Sequence, residues 1–164
     1  MNPSRHRGLA LLLAALIVVL DQLSKAWVVS ALPFGVQRAL VPGVLDLQLV
    51  YNRGAAFSML TGATPVLALI SAVVAAVVAI WLMRQRQLPL LQTIAAACLL
   101  GGAIGNGIDR WRLGAVVDFL ALVPIRFPVF NLADVAINIA VLCIALTVLR
   151  GERPVIGLVP SARA

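Results

Sequence analysis

Val129-Phe-Asn-Leu-Ala-Asp-Val-Ala-Ile-Asn-Ile-Ala-Val-Leu-Cys-Ile-Ala-Leu-Thr-Val-Leu149 is apolar enough to cross a bilayer, yet it carries Asn131, Asp134 and Asn138 in its first half. At ~1.5 Å per residue such a stretch spans roughly 30 Å, the thickness of bilayer hydrocarbon. An ionisable group there costs at least ~2.5–3.5 kcal/mol on insertion scales, so it marks function rather than solubility. Three further runs qualify as spans, over about 8–32, 63–83 and 90–108. The chain of 164 residues is 62% hydrophobic and 12% charged, with a mean hydropathy of +1.05. That exceeds the apolar half of a soluble domain. The reading is an all-α membrane protein, one integral membrane domain over 1–164 built as a four-transmembrane-helix bundle, without heptad seam or internal repeat.

Arg5 and Arg7 ahead of an apolar run resemble the start of a cleavable signal, but no small-x-small site follows and the run continues past Asp21 to Val29. The first span therefore reads as a retained helix. Cys98 and Cys143 fall inside spans and read as buried free thiols. A net charge of +7 in so apolar a chain sets orientation rather than nucleic-acid binding. Arg5, Arg7 and the tight Arg84-Gln-Arg86 link place both termini in the cytoplasm.

Two connections then lie outside. In the first, 33–62, Val44 to Tyr51 alternates at Asp46 and Gln48 with the period of a half-buried strand, and Arg38 to Val41 is its candidate partner across Pro42-Gly43. A small extracytoplasmic β-sheet cradle results. The second, 110–128, contains Ala115 to Val123 and reads as a short interfacial helix punctuated by Pro124 and Pro128.

Five of the six acids are aspartates, and four belong to the apolar runs: Asp21, Asp109, Asp118 and Asp134. By helical rise Asp21 lies roughly 20 Å above Gly8, Asp134 roughly 22 Å above Leu149 and Asn106 roughly 24 Å above Leu90. These groups cluster below the outer surface, not at the midplane where carriers place their sites. Asp21 and Lys25 are spaced i,i+4 with the acid first, the favourable order for a helical ion pair. Asn106 and Asp109 share one helix face beside Arg110, and Asn131, Asp134 and Asn138 share another.

Elimination narrows the chemistry. The only histidine, His6, is at the opposite end, so no Ser-His or Cys-His couple can form at the polar cluster. No zinc motif is present, and no metal or other cofactor is expected. Carboxylate chemistry remains, with Ser24 or Ser58 activated by Lys25 as a weaker rival. Two acids held close cannot both ionise, so one keeps a proton while the other acts as base. Residue types alone leave open which two aspartates meet.

Five motifs in order then carry a resemblance: Asp21-Gln-Leu-Ser-Lys25, Tyr51-Asn-Arg-Gly-Ala-Ala-Phe-Ser58, Gly105-Asn-Gly-Ile-Asp-Arg110, Val117-Asp-Phe119 and Phe130-Asn-Leu-Ala-Asp134. Over residues 9 to 150 the chain resembles the bacterial lipoprotein signal peptidases (signal peptidase II). The resemblance implies an aspartic endopeptidase of the inner membrane that removes signal peptides from prolipoproteins, cutting before a diacylglyceryl-bearing cysteine, and that globomycin-type antibiotics block. It places the catalytic pair on Asp118 and Asp134. Supporting or substrate-binding roles fall on Asp21, Lys25, Asn52, Gly54, Asn106, Asp109, Arg110 and Asn131. Gly107 departs from the family, which usually has a bulkier aliphatic residue there.

Plainer readings stand beside these. Asp118 and Asp134 are also placed to cap helices, and Asn52, Asn106 and Asn131 to bridge them. Asp109 with Arg110 reads as a helix end at the interface, Gly54 as part of a tight turn and Asp46 as solvated surface. Trp27, Trp81 and Trp111 read as interfacial anchors. Membrane lipids and lipidated prolipoprotein are the expected partners, the expected state is a monomer, and a small proton- or ion-coupled carrier is the rival function.

Overall fold

A computed structural model describes residues 3–54, 62–85 and 88–151. Four helices, α1 (Pro3–Ala31), α2 (Thr64–Arg84), α3 (Leu90–Leu113) and α4 (Leu132–Leu149), alternate with three strands, β1 (Gln37–Val41), β2 (Leu45–Asn52) and β3 (Val116–Leu122). All four helices are long and apolar enough to cross a membrane. Most of their large side chains, such as Leu12, Leu69 and Leu142, are exposed on the bundle's outside, as lipid contact requires.

α3 is the axis of the bundle, packed by all three other helices. Its glycines let the neighbours close in. A Cβ on Gly102 would lie 2.6 Å from the Ala133 carbonyl oxygen of α4, and one on Gly105 would lie 2.7 Å from Asp21 Oδ2 of α1. Small residues at helix interfaces supply the van der Waals contact that drives association in lipid, where no hydrophobic effect operates between helices.

At one end of the bundle the strands form an antiparallel sheet in the order β1-β2-β3. Arg38 faces Leu47 in one pair, and Tyr51 faces Val117 in the other. β1 is exposed along its length, while Leu47 and Leu49 of β2 pack with Val117 and Phe119 against Val28 of α1 and Leu32 just beyond its end.

Two expectations are corrected. The interfacial helix anticipated between Ala115 and Val123 is strand β3, joined to β2 and bridged to Phe130. Its residues are buried on both faces up to Ala121, so their apolar run lacks the alternation that reveals a strand. The β-branched Val116 and Val117 with Phe119 favour the pleated form once β2 offers a partner. The third helix does not stop near 108. It continues to Leu113, where Gly114 adopts the left-handed conformation (φ 66°) and returns its N–H to the Arg110 carbonyl at 3.2 Å. Arg110 thus belongs to the helix, not to a loop. Ser58, part of the Gly54-Ala-Ala turn and the tail beyond Gly151 lie outside the described residues.

Candidate active site

The polar residues of the spans converge where the bundle meets the sheet. Lys25 Nζ lies 2.8 Å from Asp21 Oδ2 and 2.9 Å from Asp109 Oδ2, and it donates to Asn106 Oδ1 at 3.0 Å. The lysine is 3% exposed and its two acids 0% and 4%, so every charge in this hub depends on its partners. Asp21 Oδ1 accepts from the Ala133 amide at 3.0 Å, joining α1 to the first turn of α4. Asp109 Oδ2 also accepts from the Val117 amide at 3.1 Å, which fixes the strand one residue before Asp118. Asp109 is therefore no mere helix end.

Three asparagines aim at two further carboxyl groups, and each amide is held from its oxygen side. Asn52 Oδ1 accepts from the Gly54 amide at 2.9 Å, turning Nδ2 onto Asp118 Oδ2 at 3.0 Å. Asn131 Oδ1 accepts from the Asp134 amide at 2.9 Å, turning Nδ2 onto Asp118 Oδ1 at 2.6 Å. Asn106 Oδ1 takes Lys25 Nζ, so its Nδ2 donates to Asp134 Oδ1 at 2.8 Å. Asn131 Nδ2 also reaches Asn106 Oδ1 at 3.0 Å, which links the supports of the two aspartates. Asp134 Oδ2 completes a capping box on the Asn131 amide at 3.2 Å.

Asp118 and Asp134 come from different elements, β3 and α4, and line one cavity of about 630 Å³ together with Asn52, Asn106 and Arg110. The rest of its wall is largely apolar, including Val116, Phe130 and Leu142. This volume falls within the range of small-ligand and peptide-segment sites, ~300–1,000 Å³. Burial and then the nearby Asp134 charge push the Asp118 carboxyl up to about 7, against the opposing Asn52 and Asn131 hydrogen bonds. Among the described residues no group of His, Cys, Asp and Glu is arranged to hold a metal.

Arg110 is loosely held. Its Nη1 reaches Ser71 Oγ at 3.4 Å and its Nη2 the Gly54 carbonyl at 3.5 Å, while the buried Nε has no hydrogen-bond partner. The Ser-Lys reading loses support at Ser24, whose hydroxyl donates to the Asp21 carbonyl at 2.8 Å while Lys25 is saturated by three partners. Asn138 donates to the Asp134 backbone carbonyl at 2.9 Å, and Asp46 accepts from Gln37 at 2.8 Å on the exposed sheet. Gln22 is an unforeseen member of the hub: its amide donates to Asp21 Oδ2, the Gly105 carbonyl and Asp109 Oδ1 at 3.0–3.2 Å. Only its place beside Asp21 in the first motif pointed to it.

Apolar spans around a cavity whose reactive groups are carboxyls define a class, the membrane-embedded proteins equipped for carboxyl chemistry. The particular family follows from comparison. Residues 13–150 match the family model described as signal peptidase (SPase) II. A lipoprotein signal peptidase of Synechococcus sp. (strain RCC307) is 54% identical over 141 residues, covering 85% of this chain and 93% of that one. Another, from Pseudomonas aeruginosa (strain UCBPP-PA14), is 41% identical and covers 86% and 88% of the two chains. A solved bacterial membrane enzyme superposes with a TM-score of 0.82 at 30% identity, covering 87% of this chain and 88% of its own. The chain belongs to the signal peptidase II family. It is an aspartic peptidase and a multi-pass bacterial membrane protein, and the carrier reading is set aside.

Proposed function

We propose that Asp118 and Asp134 are the catalytic pair, and that the enzyme cuts diacylglyceryl-modified prolipoproteins just before the lipidated cysteine. The observation that carries this is the meeting of both carboxyls in one largely apolar cavity, each oriented by asparagine amides. The substrate enters laterally from the bilayer with its acyl chains still in lipid. Asn52, Gly54 and the loosely held Arg110 guanidinium face its backbone, while Asp21, Lys25, Asn106, Asp109 and Asn131 hold the pair in place.

Asp118 holds the shared proton, consistent with a value near 7. Asp134 draws a proton from water as the hydroxyl oxygen bonds to the scissile carbonyl carbon, and Asp118 gives its own proton to the carbonyl oxygen. When the tetrahedral species collapses, the C–N bond breaks and the proton gained by Asp134 passes to the leaving amine. Asp118 regains its proton from the re-forming carboxyl product. A low-dielectric surround strengthens each of these transfers.

The sheet end faces outward and both termini lie in the cytoplasm, in keeping with the arginines at the opposite end of α1 and α2. The enzyme works as a monomer without metal or other cofactor, and globomycin-type inhibitors occupy the cavity. The test is cleavage of a lipidated prolipoprotein by purified Asp118→Asn and Asp134→Asn proteins. Each is expected to retain its fold and lose at least ~10³-fold in kcat. Either variant cleaving at the normal rate would overturn the assignment.

A further inference from the structure

A second concavity lies on another face of α3. It measures about 350 Å³ and is formed between α2 and α3, with Ala72, Ala75, Ala103 and Gly107 as its floor and Trp111 and Arg112 at one end. Gly107 keeps it open, since a Cβ there would stand 3.3 Å from Ser71 Cβ. The catalytic cavity uses Asn106 and Arg110 of the same helix, so the two hollows are separated by the body of α3.

We propose that this groove is a binding site for one phospholipid, whose acyl chain fills it and whose phosphodiester rests on Arg112. Height is the first argument. Counted from Leu90, Ala103 stands at roughly 20 Å and Arg112 at roughly 33 Å, so the groove runs from mid-leaflet to the headgroup level of hydrocarbon ~30 Å thick. An apolar partner helix or a second copy laid in the groove, which is only about 13 Å tall, would leave the Arg112 cation at its end without an anion. Charge is the second argument. Arg112 is exposed and has no hydrogen bond or ion pair among the described residues, although it closes an otherwise apolar slot. A guanidinium at phosphate depth meets an anionic acceptor. Trp111, 72% exposed beside it, sits at the level where indoles favour the interface. Water does not fill so apolar a slot, because a buried water needs two or more polar partners.

The experiment is native mass spectrometry of the full chain released from vesicles of phosphatidylglycerol and phosphatidylethanolamine in equal parts. The wild type is expected to retain one phospholipid. Losing a charge-assisted phosphate contact, Arg112→Gln should weaken retention about tenfold or more. Gly107→Leu, which fills the slot, should abolish it. Arg112 is on the surface and its variant is expected to fold, so a failure of Gly107→Leu to fold leaves the test intact. Equal retention by wild type and Arg112→Gln overturns the proposal. So does a dimer mass lost on substitution, or a fall in substrate cleavage by Arg112→Gln with lipid retention unchanged.

Discussion

Replacing Asn131 by aspartate separates two jobs done by one side chain. Its Oδ1 caps α4 on the Asp134 amide, and its Nδ2 donates to Asp118 Oδ1 at 2.6 Å. Asp serves nearly as well as Asn at an N-cap, whereas Ala there costs about 1 kcal/mol. Asn131→Asp therefore keeps the cap and the shape but removes the donor whenever the new carboxyl is ionised. Asp118 becomes a carboxylate as it gives its proton to the substrate carbonyl, and a hydrogen bond to a charged group is worth about 1.5–3 kcal/mol. At about 1.36 kcal/mol per decade, kcat of the enzyme with Asp118 protonated should fall about 10- to 150-fold while the introduced carboxyl is ionised. KM should change little, because Asn131 does not line the cavity. As the pH drops the introduced carboxyl gains a proton and donates again, so the deficit should narrow, whereas Asn131→Ala, which has no donor at any pH, should stay impaired at low pH. The assay is cleavage of a synthetic lipidated peptide in detergent from about pH 5 to about pH 8, with kcat and KM resolved at each point. An Asn131→Asp profile running parallel to the wild type at all pH values would refute the view that this amide tunes the pair.

For the wild type, activity should decline as pH rises through about 7, because Asp118 must carry its proton. The same raised value makes its stability contribution complete below 3.8 and lost as pH climbs through about 7, which thermal melts across pH can follow. In Asp134→Asn the infrared carboxyl band of Asp118 should titrate lower than in the wild type but still above 3.8, because burial is the larger cause of its shift. Lys25→Met should cost about 3–5 kcal/mol by leaving Asp21 and Asp109 buried without their cation, measured as loss of folded protein in chemical denaturation. Gly105→Ala should destabilise by about 1–3 kcal/mol, because its methyl would press on Asp21 Oδ2; an unchanged melting temperature would contradict the packing described for α1 and α3.

The four spans were legible because ~20-residue apolar runs have few alternatives. The Asp21–Lys25 pair was legible because i,i+4 neighbours on a helix must meet. What escaped was long-range. Periodicity within 115–123 cannot distinguish a strand buried on both faces from a buried helix, and only the β2 register decides it. The bonds from Asn106 to Asp134 and from Asp109 to the Val117 amide cross between elements, so no local spacing announces them. The extension of α3 to Leu113 had a local signal in Gly114, whose left-handed cap was legible as a stop.

The lysine shared by Asp21 and Asp109 has a consequence for biogenesis. During synthesis α1 reaches the membrane long before Asp109 has been translated, and its cation is then neutralised by Asp21 alone, one turn away. Arrival of α3 delivers the second acid and Asn106, and only then is the ammonium fully satisfied. Completion of the hub thus waits on α3: a nascent chain stalled before it holds Lys25 with one of its three partners.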